Sequence, residues 1–183
     1  KDKKTEYDLI REKEKQDLDV YTTLSRGAYP TIEYYVLIVM SCVIATAGLL
    51  QGSPAVIIGA MIVAPLMTPI LAFSLGVIRG DMTIIKMSAK SIINGVALAI
   101  MISSLIAFAI PIPDYSPEII ARTRPNLFDI IVALASGIVG AYGSANSRIS
   151  GTLVGIAIAV ALMPPLCTIG IGIGTLSWVV ASG

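Results

Sequence analysis

Two prolines and a threonine interrupt the apolar sequence GAMIVAPLMTPI, and this interruption has the clearest chemical consequence in the chain. Pro65 has no N–H to donate to the carbonyl of Met61, and Pro69 has none for the carbonyl of Pro65. A helix through this sequence therefore leaves carbonyl oxygens that need another partner. Thr68 places a hydroxyl between them, so the sequence predicts a polar site in apolar surroundings.

A similar combination recurs near the end of the chain, in the sequence AVALMPPLCTIG. Pro164 and Pro165 remove the donors for the carbonyls of Val160 and Ala161, and Thr168 follows them. We predict that both interruptions break their helices and face each other near mid-membrane. The alternative is that the prolines are packing kinks and that each threonine bonds to its own backbone.

The two interruptions align with each other. PLMT at 65–68 lies over PLCT at 165–168, and IEYYVLIV at 32–39 lies over FDIIVALA at 128–135. Apolar segments also match by chance, but a true duplication has a strong consequence. One crossing separates the two helix pairs, so the second pair runs opposite to the first. This is an inverted repeat, which is typical of transporters with a mid-membrane site.

The composition indicates an integral membrane protein. Of 183 residues, 55% are hydrophobic and 14% charged, and the mean hydropathy is +0.83. The net charge of +1 gives no reason to expect nucleic-acid binding. The chain has no histidine, which excludes an imidazole base, and no acidic residue falls in the middle of a predicted helix. We therefore expect no enzymatic activity, no cofactor and no metal site.

Five apolar segments are long enough for membrane helices, which need about 20 residues. They cover residues 33–50, 54–78, 88–110, 127–143 and 151–182. The fifth exceeds one straight crossing, which favours a broken helix or a re-entrant half-helix there. The predicted fold is all-α and polytopic, with five transmembrane helices: two hairpins form an inverted repeat around a central third helix, and the second and fifth helices are broken at proline.

Lysine and arginine predict the orientation. With a cytoplasmic N-terminus, the inside receives eleven of them, seven from residues 1–30 together with Arg79, Lys86, Lys90 and Arg148. The outside receives only Arg122 and Arg124. Positive charge prefers the cytoplasmic side. We expect a multi-pass protein of the cell inner membrane with its N-terminus inside and its C-terminus outside.

Residues 1–30 differ from the transmembrane domain at 31–183. They hold seven positive and seven negative charges with interspersed apolar residues, and they end at the helix stop signals Gly27 and Pro30. We predict a charged cytoplasmic helix or linker that follows a removed soluble domain. The mixed charge argues against a basic lipid-binding patch, and a solvated connector is the alternative.

Asn94 of the third helix completes the candidate site. The predicted substrate-binding residues are Met61, Pro65, Thr68, Pro69, Asn94, Val160, Ala161, Pro164, Pro165 and Thr168. Glu33 and Asp129, each in the first turn of its helix, are gate candidates, and stabilisation by the helix dipole is the alternative. Cys42 and Cys167 fall in apolar segments and are interpreted as small buried residues rather than as a disulfide or a metal site.

The run GSPAVIIGAMIVAPLMTPILAFSLGVIRGD, followed by ALMPPL, resembles the prokaryotic membrane family catalogued as domain of unknown function 389. The resemblance covers residues 30–183. It implies a soluble domain before the membrane part in many members, but no reaction, substrate or site residue.

The sequence therefore favours a transporter or channel that moves a small solute or ion through the mid-membrane site. The alternative is a membrane scaffold or sensor that assembles a cytoplasmic domain without transport. Small residues suited to close helix contact are abundant, and five helices hardly enclose a pathway alone. We expect a homo-oligomer in the lipid bilayer under either interpretation.

Overall fold

A computed structural model of the chain describes residue 18 and residues 21–110, 114–124, 126–145 and 151–182, with side chains for all except 144, 145 and 151–161. Regular structure in these ranges is helical, as predicted. The helices are α1 (Ile32–Gln51), α2 (Pro54–Val63), α3 (Met67–Arg79), α4 (Met82–Ala109), α5 (Pro117–Arg122), α6 (Leu127–Ala145), α7 (Gly151–Gly174) and α8 (Trp178–Ala181). Residues 21–26 are also helical, and this stretch ends at Gly27 as expected.

Two of these helices, α1 and α4, are individually long and apolar enough to cross a membrane. The pair α2–α3 makes a third candidate if the two helices are counted as one bent span. The parts of α6 and α7 whose side chains are described, residues 127–143 and 162–174, are apolar but shorter. The five predicted apolar segments thus correspond to helical regions of the fold.

The α1–α2 hairpin begins and ends at local signals. The Thr31 side chain accepts a hydrogen bond from the Tyr34 N–H at 3.3 Å and caps α1. Gly52 ends the helix with φ +65°, a left-handed conformation that glycine adopts without strain. Pro54 then occupies the first turn of α2, where its missing N–H is not needed. These local signals determine where α1 begins and ends and where α2 begins.

The predicted break at Pro65 is present. Ala64 has φ −66° and ψ 121°, the extended conformation that a following proline imposes. α2 has ended one residue earlier, and α3 starts at Met67 with its axis bent by 52° from that of α2. Pro69 does not break a helix, and that part of the prediction is wrong. It is the third residue of α3, where no intrahelical N–H bond is required.

The predicted break at Pro164 and Pro165 is wrong, since α7 runs through both from Gly151 to Gly174. A proline ring fixes φ near the helical value, so loss of two N–H donors bends or weakens a helix without necessarily ending it. The long fifth segment is interrupted later, at residues 175–177, where Leu176 has φ +56°. The short α8 then turns back and packs against α7 at Gly172.

α4 forms the centre of the described packing. Asp81 accepts hydrogen bonds from two N–H groups of its first turn, so the helix starts at residue 82, six residues before the predicted segment. Its buried stripe consists mainly of small residues: Ile84, Ser88, Ser91, Gly95, Ala99, Ser103 and Ala107. Small side chains let helix backbones approach closely. α4 accordingly packs most extensively against α7 and also against α1 and α3.

Candidate functional site

The break between α2 and α3 lies in the protein interior. Ala64 and Leu66 are 7% and 2% exposed and belong to the same buried cluster as Ile38 of α1 and Met163 of α7. Gly95 of α4 faces this cluster, and a methyl group added there would lie 3.3 Å from Leu66 Cδ2. The bent chain is therefore covered by three other helices at the point where regular hydrogen bonding stops.

The break leaves helix ends inside this cluster. Pro65 provides no N–H for the Met61 carbonyl at the end of α2. At the start of α3, Leu66 occupies the N-cap position without a side-chain hydrogen bond. A carbonyl end and an N–H end of two half-helices thus come together, and such ends present partial charges of opposite sign. The arrangement suits a cation on one side and an anion on the other.

The two threonines occupy different environments. Thr68 is exposed and lies against Gly27, where an added methyl group would be 2.5 Å from the Thr68 Cγ2 atom. Thr168 is only 2% exposed, and its hydroxyl donates to the Pro164 carbonyl at 2.9 Å. Thr168 thus bonds to its own backbone, as in the alternative interpretation. The two hydroxyls do not face one buried site in this structure.

The other predicted site residues are distributed around the core. Met61, Pro69 and Pro164 are buried, whereas Pro65 and Pro165 are half-buried. The side chains of Val160 and Ala161 lie outside the described residues. The predicted site is therefore brought together in part, around the α2–α3 break.

Asn94 contacts a polar group on α1 rather than either threonine. Its side-chain amide lies 3.5 Å from the Tyr35 hydroxyl, at the limit of a hydrogen bond. The neighbouring Tyr34 packs edge-on against Tyr35, with ring centroids 5.4 Å apart, and its hydroxyl donates to the Ser91 carbonyl at 2.9 Å. These contacts join α1 to α4 on the side of the core next to the break. Ser88, one turn away, is buried, and its hydroxyl has no hydrogen-bond partner among the described residues.

The gate candidates Glu33 and Asp129 are both exposed in the first turns of α1 and α6. The Asp129 carboxylate accepts from the Asn126 N–H at 2.7 Å, while the Asn126 side chain accepts from the Phe128 N–H at 2.8 Å. This reciprocal pattern is a helix cap. It gives Asp129 a sufficient structural role, and Glu33 lies where the helix dipole favours a negative charge.

Sequence reasoning missed the polar group in the middle of the bundle. Cys42 of α1 and Cys167 of α7 are fully buried with their sulfurs 4.0 Å apart. Next to them, Thr46 donates to the Ser103 hydroxyl at 3.0 Å, and both are fully buried. The burial of the two cysteines was expected, but their proximity to each other was not. The one sequence signal for this group was that Cys42 and Thr46 are four residues apart, which places them on the same face of α1.

The segment before α1, residues 21–30, packs against α3 and α4. The Ser91 hydroxyl of α4 donates to the Ala28 carbonyl at 2.8 Å, and Ala28 is fully buried. The adjacent Gly27 contacts the start of α3 at Thr68. The Tyr21 ring lies 5.4 Å from the Arg79 guanidinium carbon, a cation–π distance. Residues 21–30 therefore pack along α3, from Arg79 at its end to Thr68 beside the break, and reach α4 at Ser91.

Comparison with known proteins relates the sequence of this chain to a family. The model of the family described as Domain of unknown function (DUF389) matches residues 61–183. The chain is 34% identical over 166 residues to an uncharacterized protein of Methanocaldococcus jannaschii. That alignment covers 91% of the chain and 50% of the relative, so the chain spans about half the length of the curated relative it matches. No solved structure matches.

Proposed function

The chain belongs to the DUF389 family, and we propose from its structure that it is a membrane transporter or channel for a small solute or ion. The observation that carries this proposal is the broken helix pair α2–α3, whose break is buried among α1, α4 and α7. Irregular backbone at membrane depth is tolerated where it is enclosed by protein or lines a cavity. Discontinuous helices of this kind form substrate sites in many transporters.

In this proposal the helix ends at residues 61–67 bind the solute, and movement of α3 relative to α2 opens the path. The proposed membrane arrangement has five crossings, with α2–α3 as one bent span and α7–α8 as the last. The two hairpins, α1 with α2–α3 and α6 with α7, form the inverted repeat. The N-terminus is cytoplasmic and the C-terminus lies outside, following the distribution of lysine and arginine.

We further propose that α6 contacts a second copy of the chain. Its principal described neighbour is α7, and large apolar side chains are exposed around most of its circumference. They include Leu127, Phe128, Ile131, Leu134 and Ile138. In a membrane such a helix faces lipid or another subunit, and a subunit contact would supply the walls that one chain lacks.

Flux into proteoliposomes tests transport. Vesicles containing the full chain are given K⁺, Na⁺, Cl⁻ and proton gradients in turn. Once one gradient drives flux, Pro65→Ala is expected to lower it about tenfold or more, because a restored N–H lets α2 continue through the break. Pro54→Ala is the matched control, since Pro54 lies in a first turn where its missing N–H has no consequence.

The threonines are tested in the same vesicles. Thr68→Val keeps the side-chain shape and removes the hydroxyl, and it is expected to lower flux if Thr68 lines the path. Thr168→Val is expected to have the smaller effect, because that hydroxyl already bonds to Pro164. Parent-like flux in Pro65→Ala and in the double threonine variant would show that the break serves packing alone.

A second candidate function is favoured by the docking of residues 21–30. This segment joins any upstream domain directly to α3 and α4 through Thr68 and Ser91. A membrane sensor or scaffold would use such a connection to pass a conformational change across the bilayer without moving solute. Parent vesicles that stay tight under every gradient, in a preparation shown to be folded, would favour this function over transport.

The orientation is tested with single added cysteines in a variant lacking Cys42 and Cys167. A cysteine at Ser116 is expected to react with an impermeant thiol reagent only from outside, and one at Thr83 only from inside. Reaction of both from the same side would contradict the crossing of α4 and with it the five-helix arrangement.

A further inference from the structure

The cysteine pair of the bundle has a geometry that neither residue has alone. Cys42 and Cys167 lie 125 positions apart in the chain, on α1 and α7, yet their sulfurs are separated by only 4.0 Å. Both side chains have no exposed surface, and both are free thiols. Two thiols from different helices thus meet in a fully buried part of the core.

Two buried hydroxyls lie one helical turn from Cys42. Ser103 of α4 accepts a hydrogen bond from Thr46 of α1 at 3.0 Å, and both residues are fully buried. Three helices therefore contribute two thiols and two hydroxyls to one buried cluster. Hydroxyl donors stabilise a sulfur that carries negative charge, which an apolar core would otherwise disfavour.

We propose that Cys42 and Cys167 form a two-sulfur site for one thiophilic monovalent cation, with Cu(I) as the ion that fits. Soft sulfur ligands select Cu(I), and a closed-shell monovalent ion of this kind accepts two-coordinate binding. Among the described residues no group of three or more histidine, cysteine, aspartate or glutamate side chains comes together, so the pair lacks the ligands that zinc requires.

The distance between the sulfurs suits a bridging ion. Metal–thiolate bonds of about 2.3 Å place two sulfurs on opposite sides of an ion about 4.6 Å apart. The observed separation of 4.0 Å fits a bent sulfur–copper–sulfur angle without any movement. A straight angle requires a small rotation of either side chain. A disulfide requires instead that the sulfurs approach to about 2.05 Å, and an oxidant must accept two electrons.

Charge also favours a monovalent ion. Binding of Cu(I) with loss of one thiol proton gives one thiolate, one thiol and one cation, so the buried complex is neutral. Loss of both protons would leave a net negative charge in the apolar core, which is costly. The reaction expected here is therefore one Cu(I) bound and one proton released per chain, without any change in oxidation state.

The test uses the full reduced chain in detergent without oxygen, with Cu(I) supplied from its bicinchoninate complex. Free thiols are first counted after unfolding, and two per chain are expected. Cu(I) uptake is then followed by chelator competition, and proton release by titration calorimetry in two buffers of different ionisation enthalpy. We expect one Cu(I) per chain, one proton released and an ultraviolet absorption band from copper–thiolate bonding.

The chain contains only these two cysteines, which makes the controls direct. Cys42→Ser and Cys167→Ser are each expected to weaken Cu(I) binding by about 100-fold or more, since loss of an outer-shell partner alone costs about 10- to 100-fold, whereas Ser74→Ala, a change at an exposed hydroxyl, leaves it unchanged. Seven methionines offer thioether ligands, but these have no proton to release. The proton measurement on the parent chain therefore distinguishes cysteine ligands from methionine ligands even if a cysteine variant fails to fold.

Several results would overturn the site. These are no uptake by the reduced parent, uptake without proton release, equal uptake by the double cysteine variant, or a parent isolated without free thiols because a disulfide has formed. The site would bind its ion whether or not the chain moves solute, so absence of flux leaves this inference standing and tests only the proposed function.

Discussion

Replacement of Gly170 by alanine is expected to destabilise the contact between α4 and α7. Gly170 lies at a close approach of the two helices. A methyl group there would be 2.6 Å from the Ser103 Cβ atom and 2.7 Å from the Ile100 carbonyl oxygen. Both atoms belong to or adjoin the α4 backbone, so a side-chain rotation cannot relieve the contact. The two helices must separate instead.

The magnitude follows from two opposing effects. Overpacking of a well-packed interior costs about 1–3 kcal/mol, and the fixed neighbours place this site near the upper end. Alanine regains about 1 kcal/mol of helix propensity over glycine. We therefore expect Gly170→Ala to lower the free energy of unfolding by about 2 kcal/mol.

Gly59→Ala is the matched control. Gly59 lies in α2, and a methyl group added there meets no atom within 4 Å. This change has the propensity gain without the clash and is expected to raise stability by up to about 1 kcal/mol. Gly137→Ala in α6, which is equally open, provides a second control.

The free energies are measured by reversible unfolding in mixed micelles of increasing SDS fraction, followed by far-ultraviolet circular dichroism. The expected order of stability is Gly59→Ala at or above the parent and Gly170→Ala clearly below both. If Gly170→Ala matched or exceeded Gly59→Ala, the close approach of α4 and α7 at this position would be wrong.

Two further changes are measured in the same way. Thr46→Val removes the hydrogen bond to Ser103 and is expected to lower the free energy of unfolding by about 0.6–1.5 kcal/mol. Ser74→Ala loses only an exposed bond to its own helix and is expected to change it by less than about 0.5 kcal/mol. Equal effects would argue against a buried hydroxyl pair. Asp81→Ala removes the N-cap of α4 and is expected to cost about 1 kcal/mol, whereas Ser53→Ala, an N-cap without a side-chain hydrogen bond, has little effect; the reverse order would contradict the capping assignment.

The broken helix α2–α3 and the continuous α7 illustrate what local rules can and cannot decide. Pro65 predicts the break correctly because it restricts Ala64 to extended backbone. Pro164 and Pro165 carry the same local chemistry, yet α7 continues through them. Loss of an N–H donor is a property of the residue, but whether the helix ends there depends on the packing of neighbouring helices around it.

The predicted site was likewise correct in part from local sequence and in part decided by the fold. The sequence identified the residues around Pro65 that the core encloses, but it also placed Thr68 and Thr168 together, and the fold exposes one and buries the other. Both are apolar-segment threonines after a proline, so no local feature distinguishes them. Their exposure depends on which helix face meets a neighbour, and that neighbour is distant in the chain.

By itself, the sequence determined the all-helical class, the apolar segments and the helix end at Gly27, because hydrophobic length and local stop signals act within a few residues. Only the tertiary structure decided that the α2–α3 break faces the core and that Cys42 meets Cys167. Such contacts join residues far apart in the chain, and they form where small side chains let whole helices approach. No window of sequence contains the two surfaces that must fit together.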